Sequence, residues 1–297
     1  MKKLKYIAAL LVSSLIFSSC ARADTDDGSI KVVTSFYPIY IIAENVIGDA
    51  GGIDLENMAA PTAGCLHDYQ LSTGDMKKLS KADLFIINGG GMESFLDNAV
   101  SLFPELDILD SSAGVTVLDS TDNGHDNHEG HSHEENSHFW MYPENAEVTA
   151  ENICAKLSAL SPENADKFRE NTDAFKKAVS SLDTFDGSGV KACVFNEAFE
   201  YFALTYGMDI KYSVEMDENR TPSAKELAEI ITDINEENIS LLIASDDASK
   251  TIADMIARET SAEVIILDPI LSGDFSPSDY TDSMNKNTRI LKGSALK

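Results

Sequence analysis

Short runs of β-branched and aliphatic residues alternate along this chain with stretches whose apolar positions recur at helical spacing. In the first half the runs Ile30–Ser35, Ile53–Ala59, Leu84–Asn88 and Val115–Leu118 predict strands. In the second half Val190–Phe195, Ile210–Val214, Leu241–Ser245 and Val264–Leu267 do the same. Between strands the pattern turns helical, as at Leu227, Ile230, Ile231 and Ile234, with Thr221 expected as the cap and Pro222 in the first turn. Alternation of this kind predicts an α/β fold with mainly parallel sheets. The middle, Glu144 to Leu182, holds no strand-like run and is rich in Ala, Glu, Lys and Asn. It predicts a shorter helix over Glu144–Leu160 and a longer one starting near Pro162, joining two α/β lobes of similar size. A boundary between lobes is a preferred place for a ligand cleft.

The start of the chain bears on location. Lys2, Lys3 and Lys5 precede the apolar run Ile7–Phe17, which meets Ser18, Ser19 and Cys20. A basic start, a short apolar centre and small residues describe an export signal, too short to span a bilayer. Ending on Ser-Ser-Cys, it resembles a bacterial lipoprotein signal, which implies lipidation at Cys20, a membrane anchor and an extracytoplasmic location. The alternative is an ordinary cleaved signal with an incidental Cys20. The expected partition is a signal at 1–20, a polar tether at 21–29 and an N-terminal lobe at 30–143. A helical linker at 144–184 and a C-terminal lobe at 185–297 follow.

Charge narrows the partners. With 23 basic and 50 acidic residues the formal charge is −27, and loss of the three signal lysines takes it to about −30. This argues strongly against nucleic acid as a partner, since phosphate contacts need clustered Lys and Arg. Such a field attracts cations, although an exported acidic protein has the same charge for solubility alone. Cys65, Cys154 and Cys193 follow the signal in neither a Cys-x-x-Cys nor a zinc-ribbon pattern. An odd number leaves at least one free thiol; a Cys154–Cys193 disulfide is compatible with the sequence but not established by it. Gly89-Gly90-Gly91 follows a strand without the Lys-Ser/Thr of a phosphate-binding loop.

The candidate chemistry is concentrated in histidine. Five of the six histidines lie between Thr121 and His138, at 125, 128, 131, 133 and 138, in a stretch with no apolar side chain. Such a segment cannot bury enough surface to offset its ordering entropy, so a polar loop over 121–137 is expected. Its imidazoles and carboxylates suit borderline divalent metals, zinc above all. His125, His128, His131 and His133 would recruit metal there. His67 follows the second strand, His138 follows the loop, Asn196 and Glu197 follow Lys-Ala-Cys-Val-Phe, and Asp268 follows Val-Ile-Ile-Leu. In parallel α/β sheets ligands bind beyond the carboxyl ends of strands, so two positions from each lobe can converge on one cleft.

At these residues the chain resembles the metal-binding solute receptors of bacterial ABC importers that serve zinc and manganese. The resemblance rests on Ser-Phe-Tyr-Pro-Ile-Tyr (35–40), His-Asp-Tyr-Gln-Leu-Ser (67–72), Lys-Ala-Asp-Leu-Phe-Ile-Ile-Asn-Gly (81–89) and His-Phe-Trp-Met-Tyr-Pro (138–143). It continues through Asn-Glu-Ala-Phe-Glu-Tyr-Phe-Ala-Leu-Thr-Tyr-Gly (196–207), Thr-Pro-Ser-Ala-Lys-Glu-Leu (221–227) and Leu-Asp-Pro-Ile (267–270). It implies two Rossmann-like lobes joined by a long rigid helix, one metal in the interlobe cleft, a monomer, and a membrane permease as partner. His67 and His138 match the family's two front-lobe histidine ligands, and Asp268 its rear-lobe carboxylate. Asn196 stands where zinc receptors usually have His and manganese receptors usually Glu. Three arrangements stay open: Asn196 binds through its oxygen, Glu197 takes over, or water or a loop histidine completes the shell. Cys65, two residues before His67, is a further ligand candidate.

Zinc is the expected ion because the chain invests in imidazole, with manganese as the alternative. Affinity should fall as histidines protonate below about pH 6.5. An extracellular metal buffer or adhesin, in which the histidine loop is the working part, is a different class of function. So is a zinc hydrolase, for which two His, a carboxylate and an open position would be suitable. There is no His-Glu-x-x-His helix, and the chain is expected not to be an enzyme.

Overall fold

The computed structural model describes residues 28–60, 66–67, 69–119, 135–214 and 222–294. The signal with Cys20, most of the tether, Cys65, Thr221 and the loop histidines His125, His128, His131 and His133 lie outside the described residues. The first half runs β1 (Ile30–Thr34), α1 (Tyr37–Ile47), β2 (Ile53–Asn57), α2 (Thr73–Leu79), β3 (Leu84–Ile87), α3 (Leu96–Leu102) and β4 (Asp107–Asp110). A two-residue pair, β5 (Leu118–Asp119) and β6 (Glu135–Asn136), precedes a 3-10 turn at Phe139–Met141. Two helices follow, α4 (Pro143–Leu160) and α5 (Ala165–Val179). The second half runs β7 (Lys191–Val194), α6 (Ala198–Tyr206), β8 (Asp209–Ser213), α7 (Ala224–Glu237), β9 (Leu241–Ala244), α8 (Asp247–Ala257), β10 (Glu263–Ile266) and α9 (Asp279–Gly293).

Each half builds a four-stranded sheet in which every pairing is parallel. The strand orders are β2-β1-β3-β4 and β10-β9-β7-β8. Renumbered within its own half, the second order is the first read backwards, so the two lobes share one topology. The winding reverses between β1 and β3 and again between β7 and β9, the crevices where such sheets bind ligands. The central strands are buried on both faces. Leu84–Ile87 and Leu241–Ala244 are wholly buried, which is why they read as unbroken apolar runs.

The fourth strand of the front sheet differs from expectation. It is Asp107–Asp110, at the sheet edge and only partly buried. Of Val115–Leu118 only Leu118 enters a strand, the short antiparallel pair with Asn136. Val115 and Leu118 pack against the main core, Val115 from a loop, so the apolarity of this run reflects burial more than strand pairing.

Between the sheets, α4 is the longer helix at 18 residues and α5 has 15. Pro162 opens a 3-10 turn, Pro162–Asn164, and α5 begins at Ala165. The two helices pack on each other and on α1, while Phe175 of α5 stacks on Tyr280 of α9 at 5.7 Å. One large apolar cluster therefore runs from the front sheet through α4 and α5 into the second half, and a smaller one lies under α7 and α8. Helix α7 is capped by Ser223 in a capping box with Glu226, a Ser-x-x-Glu signature two residues later than the Thr-Pro reading. Cys154 and Cys193 are both buried free thiols. They belong to different core clusters, so no disulfide joins them.

Candidate metal centre

His138 is held at the mouth of the front sheet by groups on both sides of it in sequence. The side chain is 4% exposed and precedes the 3-10 turn that carries Phe139, Trp140 and Met141, all buried. After β3 the chain turns at Gly89, Gly90 and Gly91, all at positive φ. A Cβ at Gly90 would come within 2.7 Å of the Phe139 ring, so the turn and the residue after His138 fit only with glycine there. Asn88 donates from Nδ2 to the carbonyl of Ser137 at 3.0 Å, fixing the backbone just before His138. The buried Glu93 clamps the same turn, accepting the amides of Asn88 at 2.8 Å and Gly89 at 3.1 Å. Burial pushes the Glu93 carboxyl up to about 7 against the pull of those amides.

His67 is exposed in the turn after β2, and its ring lies 5.2 Å from that of His138, tilted by 53°. Ser94 reaches toward the Leu66 carbonyl beside it at 3.4 Å. Burial, and then the neighbouring His67, push His138 down from 6.5 to about 3. A neutral imidazole is the form that binds metal.

From the second half, Glu197 brings Oε2 to 3.9 Å from His138 Nδ1. Asn196 turns its amide oxygen to the amide of Ala198 at 2.9 Å, closing the start of α6. Asp268 is held rigidly. Its amide donates to Asn287 Oδ1 at 2.8 Å, its carbonyl accepts from Asn287 Nδ2 at 2.7 Å, and its Oδ1 accepts the Ile270 amide at 2.8 Å. Ile270 itself sits at φ 59, a conformation that costs of order 1–2 kcal/mol for a branched side chain. Trp140 Nε1 donates to the Pro269 carbonyl at 2.9 Å, and Tyr280 donates to the Trp140 carbonyl at 2.9 Å. The segments bearing His138 and Asp268 are thus bolted together through the chain's one tryptophan.

The structure places His67 and Glu197 each beside His138 and sets Asp268 on a segment tied to Trp140 through the Pro269 carbonyl. Among the described residues no three His, Cys, Asp or Glu side chains are grouped so as to hold a metal ion. The residues that sequence reasoning missed are those that hold the candidate ligands, above all Asn136 and Trp140. The signal available for them was proximity: both lie two residues from His138.

Two α/β lobes of like topology, meeting beside a histidine pair, define a two-lobed solute-receptor fold. The chain belongs to the family described as zinc-uptake complex component A, periplasmic, whose model matches residues 32–294. It is 27% identical over 308 residues to the zinc-binding lipoprotein AdcA of Streptococcus pneumoniae, covering 98% of this chain and 61% of AdcA. It therefore spans less than two thirds of that relative. The high-affinity zinc uptake system protein ZnuA of Bacillus subtilis is 26% identical over 317 residues, covering 99% of this chain and 98% of ZnuA. Among solved structures, the SBP FpvC of Pseudomonas aeruginosa in complex with Mn2+ matches with TM-score 0.77 at 20% identity, covering 89% of this chain and 99% of FpvC. The Zn(II)-bound ZnuA-like domain of Streptococcus pneumoniae AdcA matches with TM-score 0.71 at 23% identity, covering 91% and 100%. These structural likenesses establish the fold.

Proposed function

We propose that the protein is an extracytoplasmic receptor that captures zinc and delivers it to the membrane permease of an ABC importer. The observation that carries this is the facing pair His67 and His138, 5.2 Å between ring centres. Membership of a zinc-uptake family supports it, as do relatives named for zinc binding and zinc uptake. The ligands are His67, His138 and Asp268. Asn196 spends its oxygen on α6 and lies beside the ion without holding it firmly, and Glu197 guards the Nδ1 edge of His138. Among the described residues no three His, Cys, Asp or Glu side chains are yet grouped to hold an ion, so zinc bonds of about 2.0–2.2 Å to nitrogen and carboxylate oxygen would draw the Asp268 segment and the histidines together as the ion enters. Imidazole-rich ligation favours zinc over manganese.

The partition into lobes at 30–143 and 185–297 around a linker at 144–184 belongs to this reading, as do the lipid anchor at Cys20, a monomeric state and a receptor without enzyme activity. No helix among the described residues is long and apolar enough to cross a membrane. The loop histidines His125, His128, His131 and His133 raise the local metal concentration.

The test is calorimetric titration of the mature protein with zinc and with manganese, repeated for His67→Ala and for a deletion of 122–136. The receptor reading expects tight zinc binding that His67→Ala abolishes and the deletion spares. Loss of the tight event with the loop alone would make the protein a metal buffer. Tighter binding of manganese at neutral pH would overturn the choice of ion.

A further inference from the structure

Asn136 lies two residues before His138, and its side chain makes four polar contacts, three of them of fixed polarity. Its Oδ1 is 3.0 Å from the backbone amide of His138, which can only donate, so this atom is the oxygen. The other end meets two acceptors, the Glu197 carbonyl at 3.0 Å and Glu200 Oε2 at 3.1 Å, so that atom is the NH2. The amide orientation is thereby settled without reference to the imidazole. The same Oδ1 is 2.9 Å from His138 Nδ1. A nitrogen that close to an acceptor oxygen carries the proton, and a neutral ring then has its lone pair on Nε2. The Asn136 carbonyl accepts from Tyr201 at 2.7 Å, pinning the backbone as well. Glu197, Glu200 and Tyr201 all come from the start of α6, in the other lobe, and Glu200 is 6% exposed.

We propose that Asn136 is a positioning residue: it locks His138 as the Nδ1–H tautomer, presents Nε2 to the ion, and ties the ligand to α6 across the lobe boundary through Glu200. The inference rests on the reading of His138 as a zinc ligand. A metal on Nε2 withdraws electron density from the ring and strengthens the Nδ1–H bond to Asn136. The polarised amide in turn donates more strongly to Glu200, so capture in the front lobe tightens a bond to the rear lobe. An asparagine suits the position because it accepts from His138 on one side and donates to Glu200 on the other. An aspartate would accept from the ring but face the Glu200 carboxylate with like charge.

The experiment reads the tautomer directly. Long-range proton–nitrogen correlation spectra of metal-free protein labelled with 15N-histidine report which ring nitrogen is protonated, and His138 is assigned by its disappearance in His138→Gln. The expected result at neutral pH is Nδ1–H for the native protein and loss of that tautomer in Asn136→Ala, with zinc affinity lowered by about 10–100-fold. Asn136→Asp should keep Nδ1–H but lose affinity. Adding Glu200→Gln, which restores a donor opposite the carboxylate, should recover it. An Nε2–H tautomer in the native protein overturns the proposal. So does Asn136→Ala with both tautomer and affinity unchanged, or, if that variant does not fold, failure of Glu200→Gln to rescue Asn136→Asp. The tautomer is read without metal, so native protein showing Nδ1–H but taking up no zinc would sink the receptor reading and leave the lock intact.

Discussion

Protonation of His138 should cost folding stability well above the pH at which the folded protein accepts the proton. Burial and the adjacent His67 lower its pKa from 6.5 to about 3. An unfolded chain takes up the proton near the ordinary value, while the folded chain refuses it. The stability contributed by the neutral ring is therefore fully present above pH 6.5 and is lost as pH falls toward about 3. Lowering the pH from about 7.5 to about 4.5 carries the unfolded ring from neutral to two units below 6.5, at about 1.4 kcal/mol per unit below that value, or roughly 3 kcal/mol. The assay is urea unfolding followed by circular dichroism, in chelator, at both pH values, for native protein and His138→Leu. Leucine cannot protonate, so the difference between the two losses isolates His138 from carboxylates that titrate in the same range. The native protein should lose roughly 3 kcal/mol more than the variant. Equal losses would show that the imidazole is readily protonated in the folded state, and the account of the buried ligand would be wrong.

Glu93 should act in the opposite direction. With its pKa raised from 4.5 to about 7, the stability of the protonated form is complete below pH 4.5 and is lost as pH rises to about 7, roughly 3 kcal/mol in all. Glu93→Gln should flatten the fall in melting temperature across that window, and an unchanged slope would assign it elsewhere. Trp140→Phe removes the donor to the Pro269 carbonyl and shrinks a side chain that is 1% exposed. Urea titration should show a loss of about 2–4 kcal/mol, together with weaker zinc binding as the Asp268 segment loosens; native-like values for both would show that the bolt carries nothing. Gly90→Ala places a Cβ at φ +62 and 2.7 Å from the Phe139 ring. It should cost about 2 kcal/mol or more by the same measurement, and a neutral effect would mean that the turn relaxes freely.

The architecture was legible wherever strands are buried on both faces, because burial forces continuous apolar runs such as Leu-Phe-Ile-Ile and Leu-Leu-Ile-Ala. Asp107–Asp110 escaped notice because an edge strand needs only its two central residues apolar. The helical middle was recognised, but the relative lengths of its helices were not, since Pro162 starts a short 3-10 turn in place of the long helix. At the site, His67 and His138 stood out by residue type. Asn136 and Glu200 did not, because their meaning lies in a contact between positions 64 apart. Glu200 reads in sequence as one acid in an apolar helix, and only the buried amide beside it explains its presence. Asn196 matched a ligand position by order along the chain, yet its oxygen serves the amide two residues ahead, a local bond that competes with any longer reach.

The account stands on zinc being shared by His67, His138 and Asp268. The most direct measurement is diffraction from zinc-loaded crystals on either side of the zinc absorption edge. One anomalous peak should lie about 2.0–2.2 Å from His67, from Nε2 of His138 and from an Asp268 oxygen, with the Asp268 segment drawn toward the histidines. A peak held by other residues, or by the two histidines with Asp268 left at a distance, would contradict it.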